Sequence, residues 1–215
     1  MKLALFDCDG TIVDSAAIIH ACMECTFDDF GMARPGLDET KSIIGLTLDI
    51  AIAQILNRPL DSEIAAMTAR YKEHFVLYRE NGGALEPAYD GMLALIETLA
   101  ARDDVILGVV TGKSRRGLNA ILAHHNLTNA FFTTRTADDC PSKPHPAMVL
   151  ECCSEAGIEP DHTTVIGDAV YDMQMAVNAG ARSIGVSWGY GPIDALRIAG
   201  AVNVVNSAGD IAALI

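Results

Sequence analysis

Two aspartates near the start of the chain, Asp7 and Asp9, are the residues whose type and spacing most clearly indicate chemistry. They follow a short apolar run at 3–6 that is typical of a buried strand, and Gly10 after them allows a sharp turn. In an extended chain, alternation places both carboxylates on the same side. Because two negative charges held that close repel each other, each favours protonation or a bound cation. The pair therefore predicts a divalent metal site, since Mg²⁺ prefers oxygen ligands.

Further polar residues follow later apolar segments or lie in the loops between them. They are Thr111 and Gly112 after the run at 105–110, Lys143 in a loop before a helix, and Asp168 and Asp172 after the run at 163–166. The carboxyl ends of parallel strands meet at one edge of a sheet, which is where such folds bind ligands. We therefore expect four carboxylates, one hydroxyl and one ammonium to converge on one rim.

The order of the segments predicts an α/β fold. Apolar strands are expected at 105–110, 130–133, 163–166, 183–186 and 202–205, separated by helices at 91–101, 115–125, 146–156 and 171–179. Continuous apolar strands that alternate with helices favour a parallel sheet covered on both faces. Residues 15–81 instead predict only helices, at 15–30, 37–43, 49–56 and 61–78. We expect this helical insert to lie over the carboxyl ends of the strands, with residues 1–14 and 82–215 forming the core.

Composition limits the possible partners. The 215 residues carry a formal charge of −13 and the pI is about 4.7, which disfavours nucleic acids and anionic membranes. No apolar run approaches membrane-spanning length, and no secretory signal is expected at the N-terminus. The six cysteines show no simple disulfide pattern, and we interpret Cys22 and Cys25 as buried structural thiols. A cytoplasmic location is expected.

Four segments together resemble the motifs of the haloacid dehalogenase superfamily of phosphatases. They are Asp7-Cys8-Asp9-Gly10-Thr11, Val110-Thr111-Gly112, Lys143-Pro144 and Gly167-Asp168-Ala169-Val170-Tyr171-Asp172, in the family's order and over essentially the whole chain. The resemblance implies a Rossmann-like parallel-sheet core, with residues 15–81 as a small α-helical cap. The segment 185–191 looks most like the phosphoglycolate phosphatase branch.

The resemblance also implies a role for each matching residue. Asp7 would be the nucleophile that forms an aspartyl-phosphate, and Asp9 the acid and then the base. Thr111 and Gly112 would bind the phosphate, and Lys143 would neutralise its charge. Mg²⁺ would be bound by Asp7, the carbonyl of Asp9 and Asp168, with support from Asp172. The Lys143–Pro144 peptide bond is expected to be cis.

Three of these roles have a structural alternative. Thr111 could simply cap the next helix, Lys143 could be a solvated loop lysine, and Asp172 could interact with a helix dipole.

The function expected on this basis is Mg²⁺-dependent hydrolysis of a small phosphomonoester, with a small phosphorylated metabolite as the partner. One alternative is a β-phosphoglucomutase-like sugar-phosphate mutase, and another is a non-catalytic binding protein of the same fold. By spacing, the mutase histidine would fall at Ile19 rather than His20, and the mutase arginine at Leu48. We expect His20 to lie on a helix surface or to pack within the cap, and Arg34, Lys41 and residues 45–48 are candidates to line its contact face. The sequence does not indicate the oligomeric state.

Overall fold

A single parallel sheet forms the centre of the computed structural model, which describes residues 1–83 and 86–215. Its strands are β1 (Lys2–Phe6), β2 (Val105–Val110), β3 (Thr133–Arg135), β4 (Thr163–Gly167), β5 (Arg182–Val186) and β6 (Asn203–Val205). They lie in the order β3-β2-β1-β4-β5-β6, and every neighbouring pair is parallel. The order reverses at β1, which creates a crevice at the carboxyl ends of β1 and β4. The α/β prediction is confirmed.

Helices cover both faces of this sheet. The helices after the insert are α5 (Met92–Ala100), α6 (Arg115–His124), α7 (Ala147–Ala156), α8 (Val170–Ala179), α9 (Ile193–Ile198) and α10 (Ala208–Ala212), and a short 3₁₀ turn spans Pro160–His162. One apolar cluster joins the sheet to α5, α6 and α10, and a second joins it to α7 and α8. Coverage on both sides explains why the central strands are apolar at nearly every position.

Helices joined by short loops make up residues 15–81, the insert between β1 and β2. It consists of α1 (Ala16–Asp29), α2 (Leu37–Ile43), α3 (Leu48–Ile55) and α4 (Ser62–Glu80). These helices bury an apolar cluster of their own, which includes Met23, Phe27, Ile52 and Met67. The Asp61 carboxylate accepts a hydrogen bond from the Ile64 amide at 2.8 Å and so caps α4.

The two segments that join the insert to the sheet are hydrogen bonded to each other. Val13 and Ala88 form an isolated antiparallel bridge. The Asp14 amide donates to the Pro87 carbonyl at 2.9 Å, and the Tyr89 amide donates to the Ile12 carbonyl at 3.0 Å. The outgoing and returning segments therefore run side by side at the base of the helical insert.

One strand prediction is wrong, because the strand expected at 130–133 lies instead at Thr133–Arg135. Those later residues pair with the end of β2 at 108–110. The aromatic pair before them has other roles: Phe131 packs edge-on against Phe6 with ring centroids 6.4 Å apart, and Phe132 is exposed. Apolar content thus indicated a strand where the chain is still a turn. The short helices α9 and α10 were not predicted, and the remaining element boundaries agree within two residues.

Three other expectations can be compared with the structure. All six cysteines are free, but Cys25 is exposed, so only Cys22 fits the interpretation of this pair as buried thiols. No helix within residues 1–83 and 86–215 is both long and apolar enough to span a membrane. The predicted core segment 82–215 includes Ala84 and Leu85, which lie outside the described residues.

Candidate active site

The strand ends bring the principal candidate residues together. Asp7 directly follows β1, Thr111 directly follows β2, and Asp168 directly follows β4. Since β1 lies between β2 and β4, these three residues are neighbours at one edge of the sheet. Asp172 lies in the first turn of α8 and accepts a hydrogen bond from the Ala169 amide at 3.0 Å. The start of this helix therefore fixes the position of the Asp172 carboxylate.

Three carboxylates and one ammonium form a buried group at this edge, which we call the acid cluster. Asp7, Asp168 and Asp172 each offer a carboxylate oxygen, and these oxygens all lie within 4.8 Å of one another. The Lys143 ammonium donates to Asp7 Oδ1 at 2.7 Å and to Asp172 Oδ1 at 2.6 Å. All four residues are at most 1% exposed. With every group ionised, the acid cluster carries a net charge of −2.

The electrostatics of the acid cluster fit a divalent cation. Burial raises the pKa of Asp7 well above its usual value, although Lys143 opposes this shift. Burial and then repulsion from Asp172 raise the pKa of Asp168 to about 7. Asp7 Oδ2 is buried without a hydrogen-bond partner in the described part of the chain. A hard divalent cation held among these carboxylates would balance the net charge. The residues present therefore fit Mg²⁺.

Glycines allow the chain to approach Asp168 closely. Gly10 has a φ of +88°, and a Cβ at this position would lie 2.2 Å from Asp168 Oδ2. A Cβ on Gly189 would lie 2.2 Å from Asp168 Cβ. In the space that these glycines leave, the Asp168 carboxylate accepts hydrogen bonds from the Thr11 hydroxyl at 2.9 Å and the Tyr190 amide at 2.8 Å. Both bonds favour the ionised carboxylate, the form that binds a metal.

Asp9 lies apart from the acid cluster. Its Oδ1 atom is 2.8 Å from the ammonium of Lys113, which lies two residues beyond Thr111. Of the four carboxylates expected at this rim, three form the acid cluster and the fourth pairs with a second lysine. Lys113 was not among the residues expected at this site. Its position just beyond β2 is the signal that could have identified it.

The structural alternatives can now be judged. The cap of α6 is Ser114, whose hydroxyl accepts from the Gly117 amide at 3.2 Å, so Thr111 does not have that role. Lys143 is not a solvated lysine, since it is 1% exposed. Asp172 both caps α8 and pairs with Lys143. The Lys143–Pro144 peptide bond is cis, as expected.

The helical insert is closed over this edge. A Cβ on Gly112 would lie 2.5 Å from the Gly45 carbonyl oxygen and 2.4 Å from that of Leu46, so the loop between α2 and α3 lies directly against Gly112. The Thr47 amide donates to the Ser142 hydroxyl at 2.9 Å. This loop therefore contacts Gly112, one of the candidate phosphate-binding residues, and Ser142 beside Lys143.

Comparison with known sequences identifies the family of this chain. Residues 4–186 match the haloacid dehalogenase-like hydrolase family. This chain belongs to that family. It is 32% identical over 202 residues to the probable phosphatase IndB of Dickeya dadantii, a match that covers 92% of this chain and 86% of that one. It is also 29% identical to a phosphoglycolate phosphatase of Mannheimia succiniciproducens, over 88% of this chain and 87% of that one.

A solved structure extends this similarity to the fold of the family. The crystal structure of a predicted phosphatase from Clostridium acetobutylicum is 27% identical and superposes with a TM-score of 0.85. The alignment covers 98% of this chain and 95% of that one. The sheet and the helical insert of this haloacid dehalogenase-like protein are therefore both present in a solved relative.

The three cap residues singled out from the sequence, His20, Arg34 and Lys41, differ from one another in their contacts. The His20 ring lies 2.9 Å from the Thr40 hydroxyl, which agrees with packing within the helical insert. Arg34 pairs with Asp28 of α1, and its side chain is 57% exposed. The Lys41 ammonium lies 6.0 Å from the centroid of the Tyr190 ring and so reaches the contact face of the cap.

Tyr190 is another residue that sequence analysis missed. Its hydroxyl accepts hydrogen bonds from the amides of Ser15 at 2.9 Å and Ala16 at 3.0 Å, and donates to Asp14 at 2.9 Å. These bonds attach the start of α1 to the loop after β5. Tyr190 lies in the segment 185–191 whose sequence resembles phosphoglycolate phosphatases, but no spacing rule indicates this contact.

Proposed function

We propose that this protein is a Mg²⁺-dependent hydrolase of a small phosphomonoester, acting through an aspartyl-phosphate. The observation that carries the proposal is the acid cluster, in which a buried, unpartnered oxygen of Asp7 lies among charges that a divalent cation would balance. Membership of a hydrolase family and similarity to proteins named as phosphatases support it. A bound Mg²⁺ would be held by Asp7, the Asp9 carbonyl, Asp168 and Asp172, and would neutralise charge on the phosphoryl group.

The chain supplies the reacting groups. Lys143 holds Asp7 by Oδ1, which leaves Oδ2 free to attack phosphorus. A bond forms between Oδ2 and phosphorus as the bond from phosphorus to the leaving oxygen breaks, and Asp9 gives that oxygen its proton. Asp9 then takes a proton from water, whose oxygen attacks the aspartyl-phosphate and releases inorganic phosphate with Asp7 restored. Thr111 and Gly112 would position the phosphoryl oxygens.

The helical insert accounts for the choice of a small substrate. We assign residues 15–81 to a cap domain and residues 1–14 and 82–215 to the core. The loop at 45–47 lies against Gly112 and Ser142, so a closed cap excludes water and limits the size of the leaving group. Phosphoglycolate is the first substrate to test, because several similar proteins are named as phosphoglycolate phosphatases. Six free cysteines fit the reducing cytoplasm, which we propose as the location.

The mutase and binding-protein alternatives receive less support. Leu48, at the position expected for a mutase arginine, packs with the apolar cluster of the cap. Ile19, at the position of the mutase histidine, also packs there, while His20 bonds to Thr40. A binding protein would not need three buried carboxylates to be held together, as Asp7, Asp168 and Asp172 are here.

The proposal is tested by measuring turnover of p-nitrophenyl phosphate and a panel of phosphorylated metabolites, with and without Mg²⁺. We expect activity only with the metal. Asp7→Asn should lower kcat by about 10³-fold or more, since no other group can replace the nucleophile. The exposed Asp103→Asn serves as the matched control and should retain wild-type activity. Normal turnover by a folded Asp7→Asn protein would refute the nucleophile assignment.

A further inference from the structure

A second group of buried charges lies between the acid cluster and the cap, and we call it the Lys113 cluster. It comprises Asp9, Glu86 and Lys113, with Phe75 and Arg79 from cap helix α4. The Lys113 ammonium lies 2.8 Å from Asp9 Oδ1 and 3.6 Å from Glu86 Oε1. The side chains of Lys113, Asp9 and Glu86 are 8%, 9% and 1% exposed. The carboxylates of Asp9 and Glu86 are separate from the three carboxylates of the acid cluster.

The cap takes part in the same group. The Arg79 guanidinium pairs with Glu86 and lies 5.3 Å from the centroid of the Phe75 ring. Lys113 belongs to the core, and its ammonium lies 5.7 Å from the same centroid across the interface with the cap. Lys113 is therefore surrounded by the candidate acid Asp9, by the segment returning from the cap and by the last cap helix.

We propose that Lys113 is a positioning residue that holds the Asp9 carboxylate in place for proton transfer. This inference rests on the proposed function, in which Asp9 moves the proton. Asp9 lies where the chain leaves β1 and turns at Gly10, so the backbone alone does not fix its side chain. Within residues 1–83 and 86–215, the one ion pair of Asp9 is that with Lys113. It engages Oδ1 and leaves Oδ2 without an ion pair.

Glu86 and the cap hold Lys113 in turn. A lysine side chain has a long flexible stem, so one ion pair would fix it poorly. Glu86 adds a second carboxylate, Phe75 adds an aromatic face, and Arg79 holds Glu86. The placement of Asp9 therefore depends on contacts that require the cap to be closed, which links proton transfer to closure.

Two other roles for Lys113 make different predictions. A lysine that bound the substrate directly would act independently of Asp9. A lysine that only stabilised the fold would affect every substrate equally. A positioning lysine should matter most when the leaving oxygen needs a proton. That is the case for an alkyl phosphate and much less so for p-nitrophenyl phosphate, because p-nitrophenolate is a stable anion.

The test is a double-mutant cycle on kcat/KM with Asp9→Asn, Lys113→Met and the double variant, using β-glycerol phosphate and p-nitrophenyl phosphate in Mg²⁺. We expect Lys113→Met to lower kcat/KM about 100-fold on β-glycerol phosphate and less than about 10-fold on p-nitrophenyl phosphate. In the Asp9→Asn background the same substitution should cost no more than about threefold. Lys113→Arg should restore most of the loss, and exposed Lys72→Met, on cap helix α4, is the matched control.

Equal losses on the two substrates, or additive losses in the cycle, would overturn the positioning role. If Lys113→Met does not fold, Glu86→Gln provides the same comparison, because it removes the second carboxylate while keeping the side-chain shape. It should give a smaller loss, again concentrated on β-glycerol phosphate, and an equal loss on both substrates would count against the inference. A wild-type protein inactive on every probe would overturn the proposed function itself, whereas an active wild type with an additive cycle would overturn only the role of Lys113.

Discussion

A methyl group at position 112 has no room while the cap is closed. Gly112 follows Thr111 at the end of β2, and a Cβ there would lie 2.4 Å from the Leu46 carbonyl oxygen and 2.5 Å from that of Gly45. Both contacts are with backbone, which cannot rotate away as a side chain can. Gly112 does not have a positive φ, so alanine brings no backbone strain of its own. Gly112→Ala therefore tests the contact between cap and core directly.

The size of the effect follows from the distances. Ordinary contact begins at 3.4 Å, so the loop at 45–47 must retreat by about 1 Å, from 2.4 Å to 3.4 Å. The same shift would lengthen the hydrogen bond from the Thr47 amide to the Ser142 hydroxyl from 2.9 Å to about 3.9 Å, beyond hydrogen-bonding range. Misplacement of this order costs about 100-fold in catalysis. We expect kcat/KM to fall about 100-fold, while the thermal midpoint stays close to that of the wild type.

Two measurements separate this effect from a direct effect on the phosphate. Kinetics on the best substrate of the panel give the loss, and hydrogen exchange of the peptide containing Thr47 reports the contact itself. The matched control is Gly36→Ala in the cap, where a Cβ would meet nothing within 4 Å. Wild-type kcat/KM and unchanged exchange at Thr47 in Gly112→Ala would show that the loop does not lie against Gly112 during turnover, and would refute the reasoning.

Three further predictions concern the metal, the cap contact and the start of α1. Without metal, the folded protein holds a proton on Asp168 up to a pKa of about 7, against 3.8 when unfolded. The contribution of Asp168 to stability should therefore fall as pH rises from about 4 to about 7, by about 4 kcal/mol, and the raised pKa of Asp7 acts in the same direction. Mg²⁺ should therefore raise the thermal midpoint more at pH 7.5 than at pH 5.5, and an equal rise at both would contradict this account. Ser142→Ala removes one hydrogen bond to the cap, worth about 1 kcal/mol, and should lower kcat/KM about fivefold, whereas an unchanged value would show that this bond is not formed during turnover. Tyr190→Phe removes the hydroxyl bonded to Ser15, Ala16 and Asp14, and should lower the free energy of unfolding in urea by about 1–3 kcal/mol. An unchanged free energy of unfolding would show that these bonds do not stabilise the fold.

The parts predicted well from the sequence depend on local rules. Asp7 and Asp168 each follow an apolar strand, and neighbouring parallel strands must end at the same edge. Lys143 was identified through the resemblance of its Pro144 context to a family motif, and the structure places it between Asp7 and Asp172. Helices predicted from periodicity and end signals agree closely with those observed, because their ends coincide with capping residues such as Asp61.

The parts that were missed depend on contacts between distant segments. Lys113 and Asp9 are separated by about a hundred residues, and nothing in their local sequence pairs them. Glu86 reaches Lys113 only because the chain returns from the cap beside the end of β2. The displacement of β3 has a different cause, since the two aromatic residues before the strand have a composition typical of a strand.

The paired segments at the base of the cap constrain how it can swing. Val13 forms a bridge with Ala88, and the hydrogen bonds of the Asp14 and Tyr89 amides continue this pairing between the two segments that join the cap to the core. We expect two segments joined in this way to bend together, so that an opening of the cap would follow a single axis. Lengthening either of these joining segments by one residue should shift that axis. The loop at 45–47 would then be misaligned with the edge of the sheet, although no atom of the acid cluster had changed.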